Sequence, residues 1–171
     1  MCRLRDSVSL SDELTETLSA RPKLRSRNCD STGSLAVPPT LTADGNNELV
    51  LVDSRDGKLQ EQIRIEGMGA IQGPTWSPDG RSMVFSGSKG GLSDLYRYDI
   101  ETKTTTQLTQ DRHADFQPAF SPNGRTVAFA TDRSPATDFD ALSYAKFQLA
   151  LLDLETLEVE MLSVFGPEVK H

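Results

Sequence analysis

The sequence predicts an all-β protein made of repeated four-stranded sheets, and three observations support this fold class. The segment Pro74–Phe85 returns 44 residues later as Pro118–Phe129, with the same proline, aromatic and turn residues in register. The segment Leu95–Thr102 returns 54 residues later as Leu149–Thr156. Each repeat also contains four short stretches with strand character. A repeat of about 40–45 residues that contains four strands is typical of a β-propeller blade.

The first half of each repeat is a tight turn followed by a buried strand. In Ser77-Pro78-Asp79-Gly80, serine can bond the backbone, proline presets its own φ, and glycine can take a left-handed conformation. Met83–Phe85 is apolar at every position, which predicts a strand with neighbours on both faces. In the clearest copy the four strands are predicted at residues 74–77, 82–86, 94–99 and 104–109.

The repeats predict how the chain is organised. The predicted segments are an N-terminal extension (1–32), a degenerate blade (33–66), a clear blade (67–110), a second clear blade with an inserted loop at 131–146 (111–165), and a tail (166–171). The degenerate blade keeps only Gly33–Val37 and Leu49–Asp53 as recognisable pieces. Closed propellers have about 4–8 blades, so we expect part of a longer propeller whose open blade edges allow self-association.

The repeat motif Pro-x-(Trp/Phe)-Ser-Pro-(Asp/Asn)-Gly-Arg, followed by Leu-x-x-x-Asp-x-Glu-Thr, resembles the WD40-like repeat of TolB-type propellers. The same repeat occurs in the propellers of tricorn-type and prolyl-oligopeptidase-type peptidases. The resemblance is strong over residues 74–163 and weak over 33–66. It implies a bacterial, non-catalytic module that binds a protein or peptide within a larger envelope protein. The alternative is a substrate-gating propeller of a serine peptidase or metallopeptidase whose catalytic domain lies outside this chain.

Composition narrows the choice of partners. The net charge of −7 argues against nucleic-acid binding, which needs a positive face. No run of 18 apolar residues is present, so insertion of this chain into a membrane is not expected. The family resemblance implies a periplasmic or envelope location, whereas Met1–Asp6 is not followed by the apolar run of a signal peptide.

No catalytic, metal or cofactor site is predicted. A Gly-x-Ser-x-Gly nucleophile motif is absent from the sequence. His113 could pair with Asp111 or Asp115, but an isolated loop histidine is usually solvated. Asp44–Glu48 has residue types that suit calcium without the spacing of a calcium loop. Cys2 and Cys29 are expected to be unpaired thiols, with a disulfide as the alternative.

The inserted loop is the predicted contact site, because loops on rigid scaffolds often carry function. Its candidate protein-contact residues are Arg133, Asp138, Phe139, Asp140 and Tyr144. The alternative is a tolerated surface insertion without a partner. Trp76 and Phe120 occupy equivalent repeat positions and are predicted to be core residues. Ser9–Leu18 could form a short amphipathic helix.

Overall fold

A computed structural model describes residues 34–41 and 47–162 of the chain, with side chains described from residue 47 onward. This part contains eleven β-strands. The strands are β1 (Ser34–Leu41), β2 (Asn47–Asp53), β3 (Leu59–Ile63), β4 (Ala70–Trp76), β5 (Ser82–Lys89), β6 (Leu92–Asp99), β7 (Thr104–Gln107), β8 (Asp115–Phe120), β9 (Thr126–Thr131), β10 (Gln148–Asp153) and β11 (Val159–Met161). The described residues include no helix that is long and apolar enough to cross a membrane.

The strands form three antiparallel sheets in which neighbours in sequence are neighbours in space. The first sheet has the order β1-β2-β3, the second β4-β5-β6-β7 and the third β8-β9-β10-β11. Two four-stranded sheets and one shorter sheet confirm the predicted class, a propeller fragment with two clear blades and one degenerate blade. The predicted helix at 9–18, both cysteines and residues 44–46 lie outside the described residues.

The serine-proline turns begin the second strand of both four-stranded sheets. The Gly80 N–H donates to the Ser77 carbonyl at 2.9 Å, and the Ser77 hydroxyl accepts the Ser82 N–H at 3.0 Å. Gly80 has a φ of 71°, which confirms the left-handed conformation predicted for it. Gly124 repeats this φ of 71°. The motif therefore recurs because one turn geometry is needed twice.

Alternate residues of β5 enter different cores, because successive strand residues point to opposite faces. Met83 and Phe85 are fully buried in the cluster shared with the first sheet. Val84 is fully buried in the cluster shared with the third sheet. Trp76 is buried in the first of these clusters and Phe120 packs part-buried against the second, as predicted. The second sheet is thus covered on both faces.

The inner strands of the two four-stranded sheets share a β-bulge. Pairing shifts between Gln72 and Thr75 in β4, and between Phe116 and Ala119 in β8. The residue at the bulge is left-handed in both, with φ of 57° at Gly73 and 54° at Gln117. Gln117 adopts a conformation that a glycine takes without strain, so the bulge comes from the sheet geometry rather than from a glycine requirement.

Candidate protein-contact rim

The inserted loop lies at one edge of the third sheet, where β9 ends and β10 begins. In the second sheet the equivalent strands are joined by Gly90 and Gly91 alone, whereas residues 132–147 join β9 to β10. The loop meets residues 109–116, which lead into β8, because Asp115 pairs with Thr131 across the sheet. We call these two segments, 109–116 and 132–147, the rim.

The inserted loop is an ordered hairpin. Asp138 and Ser143 exchange two backbone hydrogen bonds of 2.7 and 2.9 Å. The Asp138 carboxylate accepts the backbone N–H groups of Ala141 and Asp140 at 2.9 Å each, and these bonds lower the pKa of Asp138. The Thr137 hydroxyl donates to the Asp132 carbonyl at 2.7 Å, which ties the base of the hairpin together. Residues 138–143, the tip hairpin, are therefore held by their own backbone.

Arg133 anchors the base of the loop. It donates to the carboxylates of Asp115 and Asp111 and to the Thr131 hydroxyl, the last two at 2.5 and 2.8 Å. Its side chain is 13% exposed and that of Asp115 is fully buried. Burial opposes the charge of Arg133, but its bonds to Asp115 and Asp111 outweigh this and raise its pKa. Arg133 therefore anchors the loop, and its outward contact area is small.

His113 and Arg112 hold the tip hairpin through Phe139. The His113 ring lies edge-on to the Phe139 ring, with centroids 5.0 Å apart. The Arg112 guanidinium lies 4.3 Å from the Phe139 centroid, a cation–π distance. The His113 side chain pairs with Asp132 at 3.1 Å rather than with Asp111 or Asp115, and this corrects the sequence expectation.

The outward part of the rim combines apolar and acidic side chains. Leu142 is 70% exposed and Tyr144 is 60% exposed. Asp138 and Asp140 are exposed beside them, while Phe139 is half-buried. Tyr144 touches Phe139 edge-on at 6.4 Å between ring centroids. Four of the five residues predicted for contact thus lie together on the tip hairpin or beside it, with Arg133 beneath them.

A buried acidic residue beneath the rim was not anticipated from the sequence. Asp94 is 4% exposed, and Gln107 donates to its carboxylate at 3.0 Å. Burial raises the pKa of Asp94, and the nearby Asp115 and Asp111 raise it further. A signal for the network did exist, because Asp115 stands where the preceding repeat has the buried Ile71.

The described residues do not supply a metal centre or a catalytic constellation. No group of three or more metal-ligating side chains occurs among residues 47–162. Within the same residues His113 is the single histidine, and its partners are Asp132 and an aromatic ring. The rim geometry fits contact with another molecule better than bond-breaking chemistry.

Stacked antiparallel sheets with this repeat define a β-propeller protein of the WD40-like kind. The chain belongs to the TolB β-propeller domain family, whose sequence profile matches residues 42–139.

Individual relatives agree with this assignment. The chain is 33% identical over 86 residues to the Tol-Pal system protein TolB of Francisella tularensis subsp. mediasiatica, a match that covers 50% of this chain and 20% of the relative. It therefore spans about a fifth of the length of that curated relative.

Solved structures show the same fold. The structure of TolB from Acinetobacter baumannii matches 75% of this chain and 29% of that chain, with a TM-score of 0.57 and 19% identity. The tricorn protease matches 75% of this chain and 11% of that chain, with a TM-score of 0.53 and 19% identity. These similarities concern the fold alone.

Proposed function

We propose that this chain is a non-catalytic propeller module that binds a protein or peptide through the rim. The observation that supports this most directly is the tip hairpin, which is held rigidly and yet exposes Leu142 and Tyr144. Tyrosine gives a large contact area at a low cost in conformational entropy and is enriched at interfaces. A rigid site loses little freedom on binding, so more of the contact energy becomes affinity.

The anchoring of the rim supports the same proposal. A loop that was only tolerated would need neither the buried pairing of Arg133 with Asp115 nor the Arg112 contact with Phe139. These interactions place the tip at a fixed height above the junction of the second and third sheets. Asp138 and Asp140 add negative charge beside the apolar groups. The rim therefore suits a partner segment that offers an apolar side chain next to a basic one.

Membership of a bacterial envelope assembly is part of the proposal. The curated relative is named as a protein of the Tol-Pal system, and a module of such a system works beside other proteins. The alternative, a propeller that admits substrate to a peptidase, has only the shared fold in its favour. The binding proposal has the rim in addition, so it is preferred.

The proposal is tested by placing a photo-cross-linking amino acid at position 144 of the full-length protein in its native host. We expect a discrete adduct with another protein, and we expect Leu142→Ser and Asp140→Lys to weaken it several-fold. The matched control carries the cross-linker at Thr102, an exposed residue in the β6–β7 turn. No adduct at position 144, or the same adducts from both positions, would refute binding at the rim. Cleavage of captured peptides would favour the peptidase alternative.

A further inference from the structure

The two four-stranded sheets differ in what covers their outer faces. Leu95 in β6 and Leu149 in β10 are equivalent repeat residues, opposite Ser86 and Ala130 respectively. Leu95 is fully buried beneath the third sheet, whereas Leu149 is 40% exposed. Among the described residues, the third sheet therefore lacks on this side the cover that it gives to the second.

The uncovered side of the third sheet is apolar. The strand register places Ala128 opposite Leu151, and Ala130 between Phe116 and Leu149. Phe147, which is 52% exposed, packs edge-on against Phe116 with ring centroids 5.6 Å apart. The open face consists of Phe116, Ala128, Ala130, Phe147, Leu149 and Leu151. A continuous apolar face of this kind in a water-soluble sheet marks an interaction surface.

The first sheet carries a set of residues that matches the one used in the existing interface. The third sheet covers the second with Ala150, Leu152 and Val159, and Val159 lies opposite Leu152. In the first sheet the equivalent residues are Val50, Val52 and Leu59, and Leu59 lies opposite Val52.

These three residues face away from the second sheet, because they alternate with Leu49 and Leu51, which are buried against it. Leu59 is 56% exposed, Val52 is half-buried and Val50 is buried. The first sheet thus presents, on its own outer side, the apolar pattern that covers an equivalent face elsewhere in the chain.

Charges along the two faces are complementary. Asp153, Glu158 and Glu160 lie at the outer edge of the third sheet on or beside the open face. The first sheet has Arg55 and Lys58 in its β2–β3 turn, both largely exposed. Arg55 is equivalent to Glu155, which shares a groove with Arg97 of the second sheet. Cation and carboxylate would face each other again, with their sheets exchanged.

We propose that a second copy of this chain covers the open face with its first sheet, and that the contact is reciprocal. Each pair would contain two such interfaces related by a two-fold axis, and six sheets in total. Six sheets lie within the range of about 4–8 blades found in closed propellers. Packing two third sheets against each other is disfavoured, since Asp153, Glu158 and Glu160 would then face their own copies.

The experiment is a measurement of mass in solution on the purified 171-residue chain, by sedimentation equilibrium over a wide concentration range. We expect the mass of two chains. Leu149→Glu and Leu59→Glu each place a charge in both interfaces of the pair, so each should weaken association more than tenfold. An equimolar mixture of the two variants should regain part of the two-chain mass, because one wild-type interface can then form. Leu142→Glu, on the tip hairpin, is the matched control and should leave the mass unchanged.

Three results would overturn the inference. The first is a single-chain mass at all concentrations. The second is sensitivity to Leu149→Glu without sensitivity to Leu59→Glu, which would indicate contact between two third sheets. The third is a mass that keeps growing beyond two chains, which would indicate open-ended association. Circular dichroism and thermal unfolding establish that the variants keep the wild-type fold, as expected for exposed positions.

Discussion

The second and third sheets are copies of one repeat, and they differ most at the end that carries the rim. In the second sheet this end is apolar, where Met68 and Ile71 are buried. The Met68 sulfur lies so close to Gly87 that a Cβ there would stand 2.5 Å from it. In the third sheet the residues equivalent to Ile71 and Gly87 are Asp115 and Thr131, both fully buried.

This difference shows what the repeat must keep and what it can change. The turn, the bulge and the central apolar residues are the same in both sheets, because they determine the strand geometry. The rim end can be apolar or polar, provided that its groups are satisfied. In the third sheet Arg133 satisfies Asp115 and Asp111, and the inserted loop begins at this anchor. The following experiments test the comparison.

Removal of the anchor should have the largest effect. Arg133→Met leaves the buried Asp115 carboxylate without its cation, and breaking a buried pair in this way costs about 3–5 kcal/mol. Chemical denaturation would measure the loss in the free energy of unfolding. The double variant Asp115→Leu/Arg133→Met imitates the apolar end of the second sheet and should recover most of it. A loss below about 1 kcal/mol in the single variant would show that the pair is not needed.

Substitution of the turn glycines should come next. Gly80→Val and Gly124→Val both force a branched residue into a φ of 71°, and we expect each to cost about 1–2 kcal/mol. Gly124 should be the more sensitive, because a Cβ there would lie 3.4 Å from Pro78. Thermal unfolding of the two variants side by side gives the comparison. Unchanged melting temperatures would mean that the turns adjust freely.

A smaller effect of opposite sign is expected at the β10–β11 turn. Leu157 has a φ of 60°, whereas its counterpart in the first sheet is Gly57 with a φ of 73°. Leu157→Gly should stabilise the protein by about 0.5 kcal/mol, because relief of left-handed strain exceeds the entropy cost of glycine. Gly57→Leu is the reciprocal control and should destabilise. Stabilisation by both changes, or by neither, would contradict this reading of the repeat.

The smallest expected effect concerns pH. The pKa of Asp94 is raised in the folded chain, so this group opposes folding increasingly as pH rises from about 4 through its folded pKa. Asp94→Asn should therefore raise the melting temperature at pH 7, with a gain that shrinks as the pH falls. Thermal melts across that range measure the difference between variant and wild type.

Asp99 provides the control with the opposite sign. Hydrogen bonds from Thr102 lower the pKa of Asp99, so its contribution is present above about pH 4 and is lost as the pH falls further. Asp99→Asn should reduce stability at pH 7 and have less effect in acid. An Asp94→Asn difference that does not vary with pH would show that the charge of Asp94 does not matter.

Much of the rim was predictable from the sequence, but not its anchoring. The insertion was visible because one repeat distance is 44 residues and the other is 54. The pairing of Arg133 with Asp115 joins residues that are 18 positions apart, and the strand register that brings them together is not encoded locally. For the same reason His113 could not be assigned to Asp132 rather than to a nearer carboxylate.

The sequence by itself determined the repeat, the turns and the class of fold, because these depend on local rules. A proline and a glycine at fixed offsets specify a turn, and apolar residues on both faces specify a buried strand. The tertiary structure alone decided which faces are covered and which charges meet. Burial depends on neighbouring sheets, so the equivalent Leu95 and Leu149 differ in exposure although their local sequences obey the same pattern.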